Sequence, residues 1–234
     1  MDICAQIAAP VRSLLRYPSA PTVLHLHIPR TGGCTLQRYL RNSLRWRGEC
    51  LTKISDRYAL CPIKSNIPVA LISGHFSWGL HTAFPDSVYV VVLREPVERV
   101  RSIHSYISQN RRHPKSDIYN RHSIPELLKP HCQLVNGQTR QLSGQHASGR
   151  EMSVDDLGVA KLHLSQDNVV LLTTESLQKG MVKLTERLQI PPPVVLRRHN
   201  KSVKAVIDAE TRGIIAASNT LDIALYDWAL GRSG

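Results

Sequence analysis

The chain has 234 residues, the size of one α/β domain, and at that length it buries roughly 70% of its unfolded surface, so it needs neither disulfides nor a metal to fold. Apolar residues at 42% and charged residues at 21% exclude a disordered or collagen-like polymer, and 5% aromatics speak against a base-stacking single-strand nucleic-acid platform. Thirty Lys and Arg against 18 Asp and Glu give +12 at neutral pH, an excess that favours anionic partners: nucleic acid, lipid head groups, a polyanionic small molecule or a glycan.

Residues 1–21 read as an N-terminal extension of mixed polarity without the apolar core of a secretory signal. Thr22–Ile28 (TVLHLHI) predicts a strand. A Pro/Gly-containing turn follows, and then a helix over Thr35–Trp46 with Leu36, Tyr39, Leu40 and Leu44 on one face. Val69–Ser73 is a short strand and Val88–Leu93 (VYVVVL) a strand buried on both faces. Pro96–Gln109 is helical, with a stripe of Val97, Val100, Ile103 and Ile107 and a proline in the first turn, where its missing N–H costs nothing.

Residues 110–132 read as a loop region with one short helix, in which Ser123 and Glu126 have capping-box spacing. Ser153 caps a helix carrying Leu157, Ala160 and Leu164, and Asn168–Thr173 (NVVLLT) is another buried strand. Leu177, Met181, Leu184 and Leu188 stripe the next helix, which the triple proline at 191–193 ends. Leu196–Lys204 is basic and irregular, and two C-terminal helices finish at Gly231. Strands alternating with helices predict a parallel sheet with helices on both faces, in a single domain over residues 22–234.

Other classes lose support. No apolar run reaches the roughly 18 residues of a membrane span, so a cytoplasmic protein is expected. The five cysteines (Cys4, Cys34, Cys50, Cys61 and Cys132) form no C-x-x-C pair, which fits incidental thiols in a reducing compartment. No helix-turn-helix or finger signature accompanies the positive charge, so nucleic acid is not an expected partner. No H-x-x-x-H or H-E-x-x-H pair points to a metal.

Two segments carry the chemistry. His27-Ile-Pro-Arg30-Thr31-Gly32-Gly33-Cys34-Thr35 lies between a predicted strand and a predicted helix. Glycines there let backbone N–H groups turn inward, the helix N-terminus adds its dipole, and Arg30 adds a fixed charge, a set suited to an anion. An ordinary strand–helix turn is the plainer reading. The segment is neither G-x-x-x-x-G-K-[ST] nor G-x-G-x-x-G, which disfavours a nucleotide kinase and a dinucleotide fold. The second segment, Leu93-Arg94-Glu95-Pro96-Val97-Glu98-Arg99-Val100-Arg101-Ser102, again leaves a buried strand and opens a helix. Taken alone, Arg94 reads as a partner of Glu95 or Glu98.

Taken together, the two segments resemble the phosphosulfate-binding motifs of sulfotransferases, in the family 2-like, bacterial-type branch related to heparan sulfate 2-O- and 6-O-sulfotransferases. Gly74-His75-Phe-Ser-Trp78, Asn136-Gly-Gln138-Thr139-Arg140-Gln-Leu-Ser-Gly144, Arg198-His-Asn200-Lys-Ser202 and Leu221-Asp-Ile-Ala-Leu-Tyr226 look like family segments in family order. The resemblance spans residues 22–230. It implies a P-loop-like three-layer α/β fold and transfer of a sulfuryl group from 3′-phosphoadenosine-5′-phosphosulfate to a hydroxyl, favoured as a carbohydrate on a glycan or glycolipid. 3′-Phosphoadenosine-5′-phosphate is then the product, and no metal is expected. Arg30, Thr31, Gly32, Gly33, Cys34 and Thr35 would cradle the 5′-phosphosulfate, with Arg30 neutralising the leaving phosphate where the family usually has Lys. Arg94 and Ser102 would hold the 3′-phosphate, Asn200 and Ser202 the nucleotide, and Gln138, Thr139 and Arg140 the cofactor or acceptor. His75 resembles the general base, while His27 reads as structural. A P-loop nucleotide kinase and a non-catalytic binder of anionic glycan stand as the alternatives.

Overall fold

The computed structural model describes residues 20–55, 68–193 and 206–232. Residues 1–19 of the expected extension, Cys4, Cys61 and the basic segment 196–204 lie mainly or wholly outside the described residues. Five strands form one sheet: β1 (Thr22–Leu26), β2 (Glu49–Ser55), β3 (Val69–His75), β4 (Ser87–Leu93) and β5 (Val169–Thr173). Their spatial order is β2-β3-β1-β4-β5, and every pairing is parallel. Every residue of β4 is buried, the condition of a parallel strand covered on both faces.

Alternating side chains of the strands divide the core between the two faces. On one face Val23, Val88, Val90 and Val92 meet Leu36, Leu40 and Leu44 of α1 (Gly33–Leu44). Met181, Leu184 and Leu188 of α7 (Leu177–Leu188) complete that layer. On the other, Leu24, Leu26, Tyr89 and Val91 meet α5 (Gly137–Leu142), α6 (Val154–Leu164) and α9 (Thr220–Leu230) through Leu142, Leu157, Ala160 and Leu225. A smaller cluster packs α2 (Pro96–Gln109) against α4 (Ile124–Leu127) and α8 (Ala209–Ser218), through Val100, Ile103, Ile124 and Ile215. The predicted three-layer α/β arrangement is the observed one.

Several details differ from expectation. The stretch 110–132 holds two short helices, α3 (Ser116–Arg121) and α4, and the Glu126 carboxylate accepts the Ser123 backbone N–H at 2.7 Å as its spacing predicts. Gln189, left-handed at φ 49°, terminates α7 before the prolines are reached. Strand β2 had no sequence expectation. It is an edge strand with intermediate burial and two register irregularities against β3, so it lacks a clean alternating pattern. Among the described residues no helix is long and apolar enough to cross a membrane.

Candidate active site

The C-terminal ends of β1, β3 and β4 meet at one sheet edge. From the central β1 the chain turns toward β2, and from β4 it turns toward β5, so the loops leaving these neighbours diverge and open a crevice. His27–Gly32 fills one wall. Arg30 and Gly32 both take left-handed backbone conformations, φ 69° and 83°, which fold the segment into a tight loop ahead of α1. A Cβ on Gly33 would stand 2.0 Å from the His27 ring, so only glycine lets the first turn of α1 settle onto that histidine. No side chain caps this end of α1, and its first turn holds no acid. Its first N–H groups and dipole therefore present positive potential to the crevice.

The second predicted segment closes onto the first. Arg30 Nε donates to Ser102 Oγ at 3.0 Å, and Arg94 Nη1 donates to the Arg30 carbonyl at 2.9 Å. The Arg30 guanidinium also lies 4.7 Å from the centre of the Tyr106 ring, one helical turn beyond Ser102. Glu95 is occupied in capping α2, accepting from Val97 N and Glu98 N at 3.0 and 2.7 Å. Glu98 is shared by Arg94 at 4.0 Å, Arg212 at 3.5 Å and Arg101. Three guanidiniums around one carboxylate leave net positive charge beside Arg30. Burial pushes the Arg94 and Arg30 guanidiniums below their ordinary range, and the Arg30 charge lowers Arg94 further while Glu98 opposes the shift. An incoming dianion relieves that crowding. The residues present thus fit a ligand with two anionic groups.

His75 ends β3 at the same edge, exposed to the crevice. Its Nδ1 lies 2.6 Å from the carbonyl oxygen of His27. A carbonyl can only accept, so Nδ1 carries the proton and Nε2 keeps its lone pair for an external donor. The packed protein beneath the ring lowers the His75 pKa, against the raising effect of the His27 carbonyl and with a smaller lowering by Arg99. The ring packs against His27 at 4.6 Å between centroids with the planes tilted by 32°, and His27 stacks on His25 at 5.3 Å. Burial is the leading cause that brings His25 down to about 3 and His27 to about 2, so both are neutral supports.

The other predicted residues take different places. The Thr31 hydroxyl is buried and donates to the Ile28 carbonyl at 2.9 Å, so this side chain shapes the loop from within. Gly32 is exposed on the loop, and in the first turn of α1 Cys34 is exposed and Thr35 half-buried. Gln138, Thr139 and Arg140 are buried in α5. The Gln138 amide exchanges two hydrogen bonds with the main chain of Arg94, at 3.0 and 2.9 Å. Arg140 donates to the carbonyls of Arg150 and Pro130, at 2.7 and 3.0 Å. The Gln138 side chain braces the end of β4 beneath the crevice, and all three side chains are buried. Asn200 and Ser202 lie outside the described residues.

Two neighbours escaped the sequence reading. Gln141 Nε2 donates to Phe76 O at 3.0 Å and His27 O at 3.3 Å, reaching the same carbonyl that holds His75. Tyr106 sits four residues after Ser102 on α2, a helical spacing that could have signalled it. Gln141 gave no comparable signal, because its partners are main-chain atoms on distant strands.

No protein-family model and no curated protein matches the chain. Among solved structures, a sulfotransferase from Alicyclobacillus acidocaldarius is similar with a TM-score of 0.52 and 14% identity, over 90% of this chain and 96% of that one. Mouse sulfotransferase SULT7A1 complexed with PAP gives a TM-score of 0.46 and 14% identity, over 87% of this chain and 66% of its own. The first likeness is one of fold.

Proposed function

We propose that this chain is a sulfotransferase that moves a sulfuryl group from 3′-phosphoadenosine-5′-phosphosulfate to a hydroxyl acceptor, with a carbohydrate on a glycan or glycolipid as the acceptor class. One observation carries the reading. The loop at α1 and the first half of α2, 72 positions apart at Arg30 and Ser102, are joined through Arg30 into one cationic crevice beside His75. The sequence motifs and a fold shared with a sulfotransferase support it.

When bound, the donor supplies an activated sulfuryl group on a phosphate leaving group. Arg30 and the N–H groups opening α1, over Gly32, Gly33 and Cys34, neutralise that phosphate as charge develops on it, while Thr35, whose N–H donates to the Gly32 carbonyl at 3.1 Å, is assigned to it by motif. Ser102 accepts from Arg30, which leaves its own O–H to donate, and with Arg94 it holds the 3′-phosphate. His75 Nε2 takes the acceptor's proton as the hydroxyl oxygen attacks sulfur in line with the departing phosphate. Asn200 and Ser202 are assigned to the nucleotide by motif alone. Arg30 and Arg94 supply the positive charge, so the proposal includes no metal.

The test is calorimetry of 3′-phosphoadenosine-5′-phosphate against ATP and AMP, each with and without magnesium. The bisphosphate should bind at least about tenfold more tightly than either, with or without the ion. Preference for ATP with magnesium would move the reading to a nucleotide kinase. Weak, equal binding of all three beside tight binding of an anionic glycan would make the chain a non-catalytic binder.

A further inference from the structure

The two helix layers differ sharply in charge. Helices α1 and α7 carry Arg38, Arg41, Lys179, Lys183 and Arg187 against Glu186, and Arg45 and Arg47 follow directly on α1. Helices α5, α6 and α9, on the opposite face of the sheet, carry Arg140 and Lys161 against Asp155, Asp227 and the buried Asp156 and Asp222, which face Arg150 and Arg99. Helical geometry turns the first set outward. With Leu36, Leu40 and Leu44 buried, Arg38, Arg41 and Arg45 fall on the far side of the turn, and all three are exposed. Lys179 and Lys183 stand likewise opposite Met181, Leu184 and Leu188.

The layer is one continuous surface. Tyr39 donates its hydroxyl proton to Pro191 O at 2.6 Å, and Arg47 donates to Leu188 O and Gln189 O at 2.9 and 2.6 Å. It also displays two large apolar side chains, Trp46 at 57% and Val182 at 59% exposure. The Arg47 guanidinium lies 4.9 Å from the centre of the Trp46 ring. A soluble polyanion would be held by the cations and would leave the tryptophan unused. Cations beside an exposed tryptophan on a broad two-helix face match the interface of an anionic bilayer, where head groups meet the cations and the indole sits at their level.

We propose that the α1/α7 layer docks this protein on an anionic lipid surface, with Arg38, Arg41, Arg45, Lys179 and Lys183 against the head groups and Trp46 among them. This goes beyond the transferase reading and does not depend on it. Helix α1 runs along the sheet from the crevice loop, so docking by this layer lays the strands parallel to the membrane. The crevice then opens sideways, along the lipid surface.

The experiment is flotation of the full chain with vesicles of phosphatidylcholine alone or mixed with phosphatidylserine, in the absence of any nucleotide. Binding to the mixed vesicles only is expected, weakening with salt. The triple variant Arg38→Glu, Arg41→Glu, Arg45→Glu should bind about tenfold or more weakly. Trp46→Phe should abolish a blue shift of tryptophan fluorescence on the vesicles. The control Arg111→Glu, Arg112→Glu, Lys115→Glu changes the same charge on exposed residues elsewhere and should bind nearly as wild type. Equal losses in both triple variants would reduce the effect to net charge and overturn the proposal. So would failure to bind the mixed vesicles while heparin binds through Arg38, Arg41 and Arg45. Neither failure touches nucleotide binding, so the transferase reading is judged separately.

Discussion

The main-chain carbonyl of His27 accepts the Nδ1 proton of His75 at 2.6 Å, while the His27 ring packs, tilted by 32°, against the His75 ring at 4.6 Å. One residue thus fixes both the tautomer and the tilt of the proposed base. His75→Ala and His75→Asn should lower turnover by about 10²–10⁴-fold and leave 3′-phosphoadenosine-5′-phosphate affinity near wild type. Burial holds the His75 pKa below its usual 6.5. A base must be neutral to act, so the rate should be flat at neutral pH and fall on the acid side, through a group below that value. Steady-state kinetics across pH check this. Normal turnover in both variants, or parallel loss of binding and rate, would remove His75 from the role.

Acid stability should depend on the two histidines beneath it. His25 and His27 titrate near 3 and 2 in the folded chain, against 6.5 for the ordinary side chain. Both folded values are depressed, so the unfolded chain binds more protons below pH 6.5, and stability present above that pH drains away as pH falls toward the folded values. Each such histidine contributes a slope of about 1.4 kcal/mol per pH unit in that window. Urea unfolding of His25→Asn between neutral and mildly acid pH should show the slope reduced by that amount. An unchanged slope would mean that His25 protonates in the folded chain.

Arg94 has two partners to lose. Arg94→Ala should weaken binding of 3′-phosphoadenosine-5′-phosphate by about 2–4 kcal/mol, through loss of a half-buried charge-assisted contact. AMP lacks the 3′-phosphate but still uses the loop that Arg94 supports through the Arg30 carbonyl. Its loss should be about 1 kcal/mol, the worth of one hydrogen bond. Calorimetry giving equal losses for both ligands would leave Arg94 as a loop support only.

Asp222 should be among the most sensitive positions for stability. It is fully buried, accepts from Gln138 N and Thr139 N at 3.0 and 2.7 Å, and stands 3.8 Å from the buried Arg99. Asp222→Ala strands a buried cation and two helix N–H groups, and should destabilise by about 3–5 kcal/mol. Adding Arg99→Met should return part of that loss, because the unpaired charge leaves with the side chain. Denaturant titration of the single and double variants measures both.

What the sequence made legible follows from range. The apolar runs of β1, β3, β4 and β5 and the stripes of α1, α2 and α7 are local patterns, and each lies within a few residues of its expected place. The two candidate anion-binding segments were legible because glycines, prolines and arginines sit at strand–helix junctions. Strand β2 was silent because an irregular edge strand has neither a continuous apolar run nor strict alternation. Helix α5 was visible as a motif, but its burial was not. Gln138 and Thr139 look like surface polar residues, and only the position of Asp222, 84 and 83 positions away, buries their backbone N–H groups. The contact of His75 with His27 depends on β3 lying beside β1, a strand order that no local pattern encodes.

The placement of α5 also governs how the crevice moves. Gln141 holds the ends of β1 and β3 through His27 and Phe76, and Gln138 holds the end of β4 through Arg94. The proposed base and the proposed donor anchor therefore hang from opposite ends of one helix. Local opening cannot free the acceptor side while leaving the donor side shut, because releasing α5 removes the support of both. The two halves should fluctuate as one cooperative unit, with backbone amides of α5 and of Arg94 exchanging with solvent in the same rare events. Plasticity toward different acceptors then has to come from the loops above this helix.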